Sequence, residues 1–300
     1  MHIILAGGSG FLGSYLAKIL SDQHDITILS RNPSQIDAKP RIKIAYWDGL
    51  DIHLSPQHKK VDAIVNLCGL SIARRWNKKN KEAIYKSRIQ PSKALIKWSL
   101  EADKKPKTFI QLSGIDYYGI KNSQCTENDP CGNSFLADLA KDWEETTSAL
   151  QKSSIRLVIA RTAPVLSGTH PPLLPLIMAT KAYLGATIGD GNQYFSWIHH
   201  QDFTNIMQKM LTDDTFKGIY NLCSPTPVTN TNLMQALAQV YKRPLWFSVP
   251  SWLLNNTLGE MSTLMTDSRK VYPQRLMNQG EKFIYPEINT ALEQIANQTT

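Results

Sequence analysis

At 300 residues the chain can bury a large core, either as one sizeable domain or as a domain with a smaller lobe. A hydrophobic content of 42% and a charged content of 19% exclude a disordered or fibrous chain, and no apolar run reaches the ~18–20 residues that a membrane-spanning helix requires. The net charge of +8 leaves nucleic acid, an anionic surface or a phosphorylated ligand open as partners.

Short apolar runs alternate with helical patterns through the first half of the chain. Strands are expected over His2–Ala6, Asp25–Ser30, Lys43–Trp47, Val61–Leu67, Lys107–Ser113 and Ile155–Arg161. Helices are expected between them over Phe11–Ser21, Asn77–Ala102 and Phe135–Lys152, with a kink or a fresh start near Gln90 because Pro91 cannot continue the hydrogen-bond ladder. Strand, helix, strand at this spacing gives an α/β fold, a Rossmann-like doubly wound parallel sheet covered on both faces. Ile3-Ile4-Leu5 runs straight into a glycine cluster, which reads as fold and not as a secretory leader. The basic excess concentrates in Arg74, Arg75, Lys78, Lys79, Lys81, Lys86 and Arg88 against Glu82 alone. That stretch reads as a solvated helix face or as a contact for a phosphate-rich ligand; no nucleic-acid module accompanies it, so nucleic acid is not expected.

After Arg161 the pattern changes. Ala163-Pro164 and Pro171-Pro172 mark irregular chain, Leu173–Tyr183 reads as a helix, and Gly185–Gly191 as a glycine-rich loop. Trp197–Leu211 and Gly218–Leu222 read as a helix and a strand that return to the sheet. Leu233, Ala236, Leu237 and Val240 fall on one helical face. A further helix follows Pro250, with Ser251 as its N-cap and Leu254, Leu258, Met261 and Met265 along one side. The expected division is residues 1–162 and 197–223 in the dinucleotide-binding part, and 163–196 and 224–300 in a smaller, discontinuous lobe. Cys68, Cys125, Cys131 and Cys223 lack the paired spacing of a zinc site and read as reduced thiols of a cytoplasmic protein.

Gly7-Gly8-Ser9-Gly10-Phe11-Leu12-Gly13 carries the G-x-x-G-x-x-G spacing directly after a strand and at the opening of a helix. This is the context in which the dinucleotide fingerprint works. Gly7, Gly10 and Gly13 permit the tight turn and close backbone approach, while the amides around Phe11 and Leu12 face a pyrophosphate with the positive end of the helix dipole. The second strand ends in Ser30-Arg31, where a site for NAD ordinarily carries a carboxylate. An arginine pairs with a 2′-phosphate that a carboxylate would repel, so NADP(H) is expected over NAD(H). Ligands of such sheets lie at the carboxyl ends of the strands. Asp48 would then border the adenine, and Leu67, Cys68, Gly69, Leu112 and Ser113 would line the remainder, although strands must also turn somewhere.

With these residues placed, the sequence resembles an atypical extended short-chain dehydrogenase/reductase. More narrowly, it is similar to the epimerase-like family that carries a C-terminal domain of unknown function, some of whose members are labelled cell-division inhibitors. The markers include Asn66 through Ala73, Arg75-Trp76, Ser87-Arg88-Ile89, Tyr117-Tyr118-Gly119, Glu127, Trp143-Glu144, Arg161-Thr162, Ser196 through His199 with Asp202, Pro225 through Asn230, and Val249-Pro250 onwards to Ala291-Leu292. The resemblance implies a nicotinamide cofactor and a substrate lobe, and leaves the substrate open.

Active short-chain reductases pair a tyrosine with a lysine four residues later on one helix face, plus a serine that orients the carbonyl. Here the positions that should hold the pair carry Phe135 and Leu139, neither of which can move a proton. Tyr117-x-x-x-Lys121 has the literal spacing, but it lies in a glycine-containing loop and reads as a decoy. Ser113 stands one residue off the usual count from Gly119, so a one-residue bulge would be needed to turn it to the ligand. Tyr117 or Tyr118 could replace the missing acid, Lys141 could reach the cofactor, and His199 with Asp202 reads either as a proton-shuttling pair or as a tie between lobes. Two expectations stand side by side. One is an NADP(H)-dependent oxidoreductase or epimerase acting on a small carbonyl or sugar-nucleotide-like compound. The other is a non-catalytic NADP(H)-binding sensor whose partner is a protein.

Overall fold

The computed structural model describes residues 1–33, 40–52 and 60–298. Seven strands form one sheet: β1 His2–Ala6, β2 Asp25–Ser30, β3 Ile42–Tyr46, β4 Ala63–Asn66, β5 Thr108–Gly114, β6 Arg156–Thr162 and β7 Gly218–Leu222. Every pairing is parallel and the order is β7-β6-β5-β4-β1-β2-β3. The chain reverses its direction of winding between β1 and β4, which leaves a crevice at their carboxyl ends.

The strands read as near-continuous apolar runs because both faces are covered. Ile3 and Leu5 point to the face packed by helices α1 (Phe11–Leu20) and α5 (His200–Thr212), while Ile4 and Ala6 point to the face packed by α2 (Lys78–Glu101). The remaining helices used below are α3 (Phe135–Glu145), α4 (Leu173–Lys181), α6 (Asn230–Val240), α7 (Ser251–Leu258) and the C-terminal helix Ile288–Gln298. Among the described residues, no helix is long and apolar enough to cross a membrane.

Several local expectations are corrected. Helix α2 runs unbroken through Pro91, which is buried, and the Ser92 hydroxyl donates to the Arg88 carbonyl at 2.8 Å in the turn where the ladder is interrupted. Packing against the sheet thus overrides the proline's local preference. The stretch Phe135–Lys152 divides at Thr146, where α3 tightens into a 3₁₀ turn over Thr146–Lys152. The glycine-rich segment contains a strand, Ala186–Ile188, paired in parallel with Phe247–Val249. Ser251 opens α7 but does not cap it, since Pro250 holds the cap position with no side-chain hydrogen bond. The single apolar face expected from Leu254 to Met265 is broken at Gly259, whose φ of 61° turns the chain.

A second hydrophobic cluster gathers Leu173 and Ile177 of α4, Trp197, Leu233 and Leu237 of α6, and Ile288, Leu292 and Ile295 of the C-terminal helix. His199 and Asp202 join this cluster to the sheet without touching each other through a hydrogen bond. The Asp202 carboxylate accepts from the amides of Ile284 at 2.6 Å and Tyr285 at 3.0 Å. His199 is buried, with Nε2 at 2.9 Å from the Gln294 side-chain oxygen and Nδ1 accepting from the Gln201 amide. Burial, then the neighbouring His200, push the His199 imidazole down to about 3, so the ring is neutral at physiological pH. This pair ties segments together and is not arranged as a proton relay.

Candidate functional site

The turn between β1 and α1 is built from backbone in near contact with backbone. A Cβ on Gly7, whose φ is 79°, would lie 2.8 Å from the Leu67 carbonyl carbon at the end of β4, and one on Gly13 would lie 2.4 Å from the Gly7 oxygen. These two glycines are therefore fixed by packing. Gly10 differs: its Cβ would meet only the Gly7 oxygen at 3.4 Å, and the residue is exposed. It caps α1 with no side-chain hydrogen bond. The first-turn amides around Phe11, Leu12 and Gly13 have no intrahelical acceptor, so the helix end presents free donors and a positive dipole to the crevice. The residues present suit a pyrophosphate.

Around this turn stand the other strand ends. Ser30 is buried and its hydroxyl accepts from the Asn32 amide at 3.1 Å, while Arg31 is exposed. Burial raises the Cys68 thiol to about 12, and the charge of Arg31 works against that rise. Asp48 is exposed beyond β3, and its carboxylate accepts from the Leu50 amide at 2.9 Å. Gly69 lies over a side chain: a Cβ there would be 3.0 Å from Arg88 Cζ. Leu112 is buried among the apolar residues of the α1 face.

On the opposite face the carboxyl ends of β5, β6 and β7 carry a polar row. Ser113, Arg161 and Asn221 are register partners, and the ladder from Thr108 to Gly114 runs without a shift, so the bulge that would turn Ser113 is not formed. The Ser113 hydroxyl donates to Glu144 Oε1 at 2.7 Å. The Arg161 guanidinium grips the same carboxylate through Nε at 2.8 Å and Nη2 at 2.7 Å. Its Nη1 donates to the Tyr118 hydroxyl at 2.9 Å, which in turn donates to Asn221 Oδ1 at 2.7 Å. Burial works against the charge on Arg161, but the hydrogen bonds and charge of Glu144 outweigh it and hold the guanidinium firmly protonated. Burial likewise pushes the Tyr118 phenol well above its ordinary range. Tyr117 is half-buried, its ring 3.4 Å from Arg161 Cζ, and among the described residues its hydroxyl has no protein hydrogen-bond partner. Tyr117 sits in a 3₁₀ turn and Lys121 in a strand, so that pair does not share a helix face.

The helix that should carry the proton-transfer pair is α3, capped by Ser134, whose side chain accepts from the Ala137 amide. Phe135 stacks edge-on with Trp76 at 5.3 Å and lies under Lys81 Nζ at 4.8 Å, and Leu139 is buried with Trp76, Ile84 and Leu136. Lys141 points elsewhere, towards Glu145 at 3.9 Å on an exposed face. Reading the sequence alone left Arg88, Glu144, Arg161 and Asn221 without roles, although three of them stand in family markers. The missed signal was a charged residue at the end of an apolar strand run, which has to find a partner when buried.

Residues 3–223 match the NAD dependent epimerase/dehydratase family model, and residues 249–295 match a domain of unknown function, DUF1731. The chain belongs to the NAD dependent epimerase/dehydratase family. Bacillus subtilis "Epimerase family protein YfhF" is 32% identical over 98% of both chains. The crystal structure of human epimerase family protein SDR39U1 (isoform 2) with NADPH superposes with a TM-score of 0.89 at 28% identity, covering 99% of each chain. UDP-glucuronic acid 4-epimerase from Bacillus cereus, in complex with UDP-glucuronic acid and NAD, shares the fold at a TM-score of 0.80 and 16% identity over 100% of both chains. The extended short-chain dehydrogenase-type fold with a DUF1731 tail, expected from the motifs, is thereby established for this epimerase-family chain.

Proposed function

We propose that this epimerase-family protein binds NADP(H) and acts as an oxidoreductase or epimerase on a small carbonyl or sugar-nucleotide-like compound. A bound nicotinamide would supply reversible hydride transfer at a substrate carbon. The observation that carries the reading is the open helix end at Gly10 with Arg31, and no carboxylate, at the close of β2. Gly7, Gly10, Phe11, Leu12 and Gly13 would surround the pyrophosphate, Ser30 and Arg31 the 2′-phosphate, and Asp48 the adenine side. Leu67, Cys68, Gly69, Leu112 and Ser113 would bound the nicotinamide half. The relative solved with NADPH supports the choice of dinucleotide, while the fold neighbour solved with NAD keeps the comparison necessary. Residues 1–162 and 197–223 would form the cofactor-binding part, with 163–196 and 224–300 as the substrate lobe. Four free cysteines fit a reducing, cytoplasmic setting.

Of the three hydroxyls at the site, those of Ser113 and Tyr118 are committed to the buried ion-pair network, so we assign proton donation to Tyr117 and a positioning role to the other two. A second reading has a specific observation in its favour: Phe135 and Leu139 replace the pair that would move protons, and both lie in an apolar cluster. On that reading the protein is a non-catalytic NADP(H) sensor that presents a surface to a partner. Calorimetric titration with NADPH and, separately, NADH tests the shared premise. Tight NADPH binding that Arg31→Ala weakens is the expected result; no binding of either dinucleotide would overturn both readings. Tyr117→Phe then separates them, since any turnover found in the parent should be lost in the variant.

A further inference from the structure

Arg88 is a cation beside this site that the network above does not use. It lies on α2, two turns beyond Lys81, with its guanidinium beneath Gly69 and 5.2 Å from the Trp143 ring. Its Nη1 donates to two carbonyls, Leu70 and Ile84, each at 3.1 Å, and these bonds fix the plane of the group. Nε and Nη2 have no protein acceptor among the described residues. Burial lowers Arg88 to about 10, with Asp116 the sole acid acting in the opposite direction, and Asp116 is itself held at 2.9 Å by Arg269. Among the described residues this half-buried cation forms no salt bridge, and it stands at the edge of the crevice where Leu67 and Cys68 meet the fingerprint turn. The segment from Gly69 to α2 adds Arg74 and Arg75, so the local field is positive.

The geometry points to an oxyanion subsite at Arg88: the free Nε–Nη2 edge takes a carboxylate or phosphoryl group carried by the substrate next to its reacting carbon. This rests on the NADP(H) reading and narrows its substrate to an anionic carbonyl compound. Two coplanar N–H groups on one edge match two oxygens of such a group, a fit that lysine cannot reproduce. A Cβ on Gly69 would stand 3.0 Å from Arg88 Cζ and 3.1 Å from Nη2, so a side chain there would displace that edge by a few tenths of an ångström.

The test uses the full chain saturated with NADPH, so that the pyrophosphate site is filled, and titrates oxalate and inorganic phosphate by calorimetry. Oxalate binding stronger than phosphate assigns a carboxylate, and the reverse assigns a phosphoryl group. Arg88→Gln should weaken the preferred anion by at least roughly tenfold, and Arg88→Lys by less, while NADPH affinity stays within about twofold of the parent. Retained NADPH binding also shows that the variants are folded. If neither anion binds the parent, or if Arg88→Gln binds it unchanged, the subsite is refuted. If Arg88→Gln loses NADPH instead, the edge belongs to the cofactor and the inference is equally refuted. Should the parent bind no NADPH, the same titrations on the ligand-free chain decide: an anion site lost in Arg88→Gln survives failure of the cofactor reading, and its absence ends both.

Discussion

Replacing Glu144 with Gln keeps the shape of the side chain but removes the charge that Arg161 faces. Arg161 is 2% exposed and Glu144 8% exposed, and two of the guanidinium's three side-chain hydrogen bonds end on that carboxylate. The variant leaves a buried guanidinium with no anion, a situation that costs about 3–5 kcal/mol. For a chain of this size that corresponds to a fall in Tm of roughly 5–8 °C. Arg161→Met should cost a similar amount, because it strands the carboxylate and deprives the Tyr118 hydroxyl of a donor. The double variant Glu144→Gln/Arg161→Met should lose much less than the sum of the two, since no uncompensated charge remains. Thermal melts and urea titrations followed through tryptophan fluorescence give all three values, and Trp143, adjacent to Glu144, lies beside the perturbation. A loss below about 1 kcal/mol for Glu144→Gln, or strict additivity in the double variant, would refute the argument that this pair is a coupled buried unit.

Gly10→Ala and Gly13→Ala should separate fold from ligand. Gly13→Ala places a Cβ 2.4 Å from the Gly7 oxygen and should lower the melting temperature, whereas Gly10→Ala meets its nearest atom at 3.4 Å and should melt like the parent yet bind NADPH more weakly. Leu139→Lys, which rebuilds half of the proton-transfer pair, should destabilise by at least about 2 kcal/mol because the ammonium enters an apolar cluster; a neutral melt would show that this position reaches water. His199 is depressed to about 3 in the fold against an ordinary value of 6.5. The unfolded chain therefore binds the extra proton between these values, and stability complete above pH 6.5 should fall with acidification by up to about 1.4 kcal/mol per pH unit. Urea titrations at pH 7.5, 6 and 5 should show that slope, and it should flatten in His199→Gln. Asp202→Ala removes the acceptor for the Ile284 and Tyr285 amides, so limited proteolysis should cut near those residues first; an unchanged digestion pattern would argue against the tie.

The sheet and the fingerprint were legible because their causes are local. Ile3 through Ala6 is apolar at every position, which is what burial on two faces requires, and the glycines of the following turn answer to backbone contacts within a few residues and at one neighbouring strand end. Strand ends shifted by a residue, as at Ile42–Tyr46, since hydrogen bonding to a neighbour sets them. What could not be read was set by distant partners. Pro91 predicts a break until its buried surroundings are known. Ser113 has the right type at nearly the right position, and only the register with Arg161 and the approach of Glu144 from α3 decide where its hydroxyl goes. Ser251 similarly has the composition of a cap, while the path of the chain into α7 gives that place to Pro250.

The cluster around Trp197 has a consequence for the order in which the chain can acquire its structure. Its members come from around Leu173, from α6 and from Ile288 through Ile295, stretches separated by much of the second half of the sequence. During synthesis the strands from β1 to β6 can pair as they emerge, while the cluster of Trp197 and Leu237 stays incomplete until Ile295 has been made. That interval is the period in which a nascent chain is most open to chaperones and to association with its own copies. The C-terminal helix Ile288–Gln298, which follows the segment that Asp202 holds through the Ile284 and Tyr285 amides, ends it.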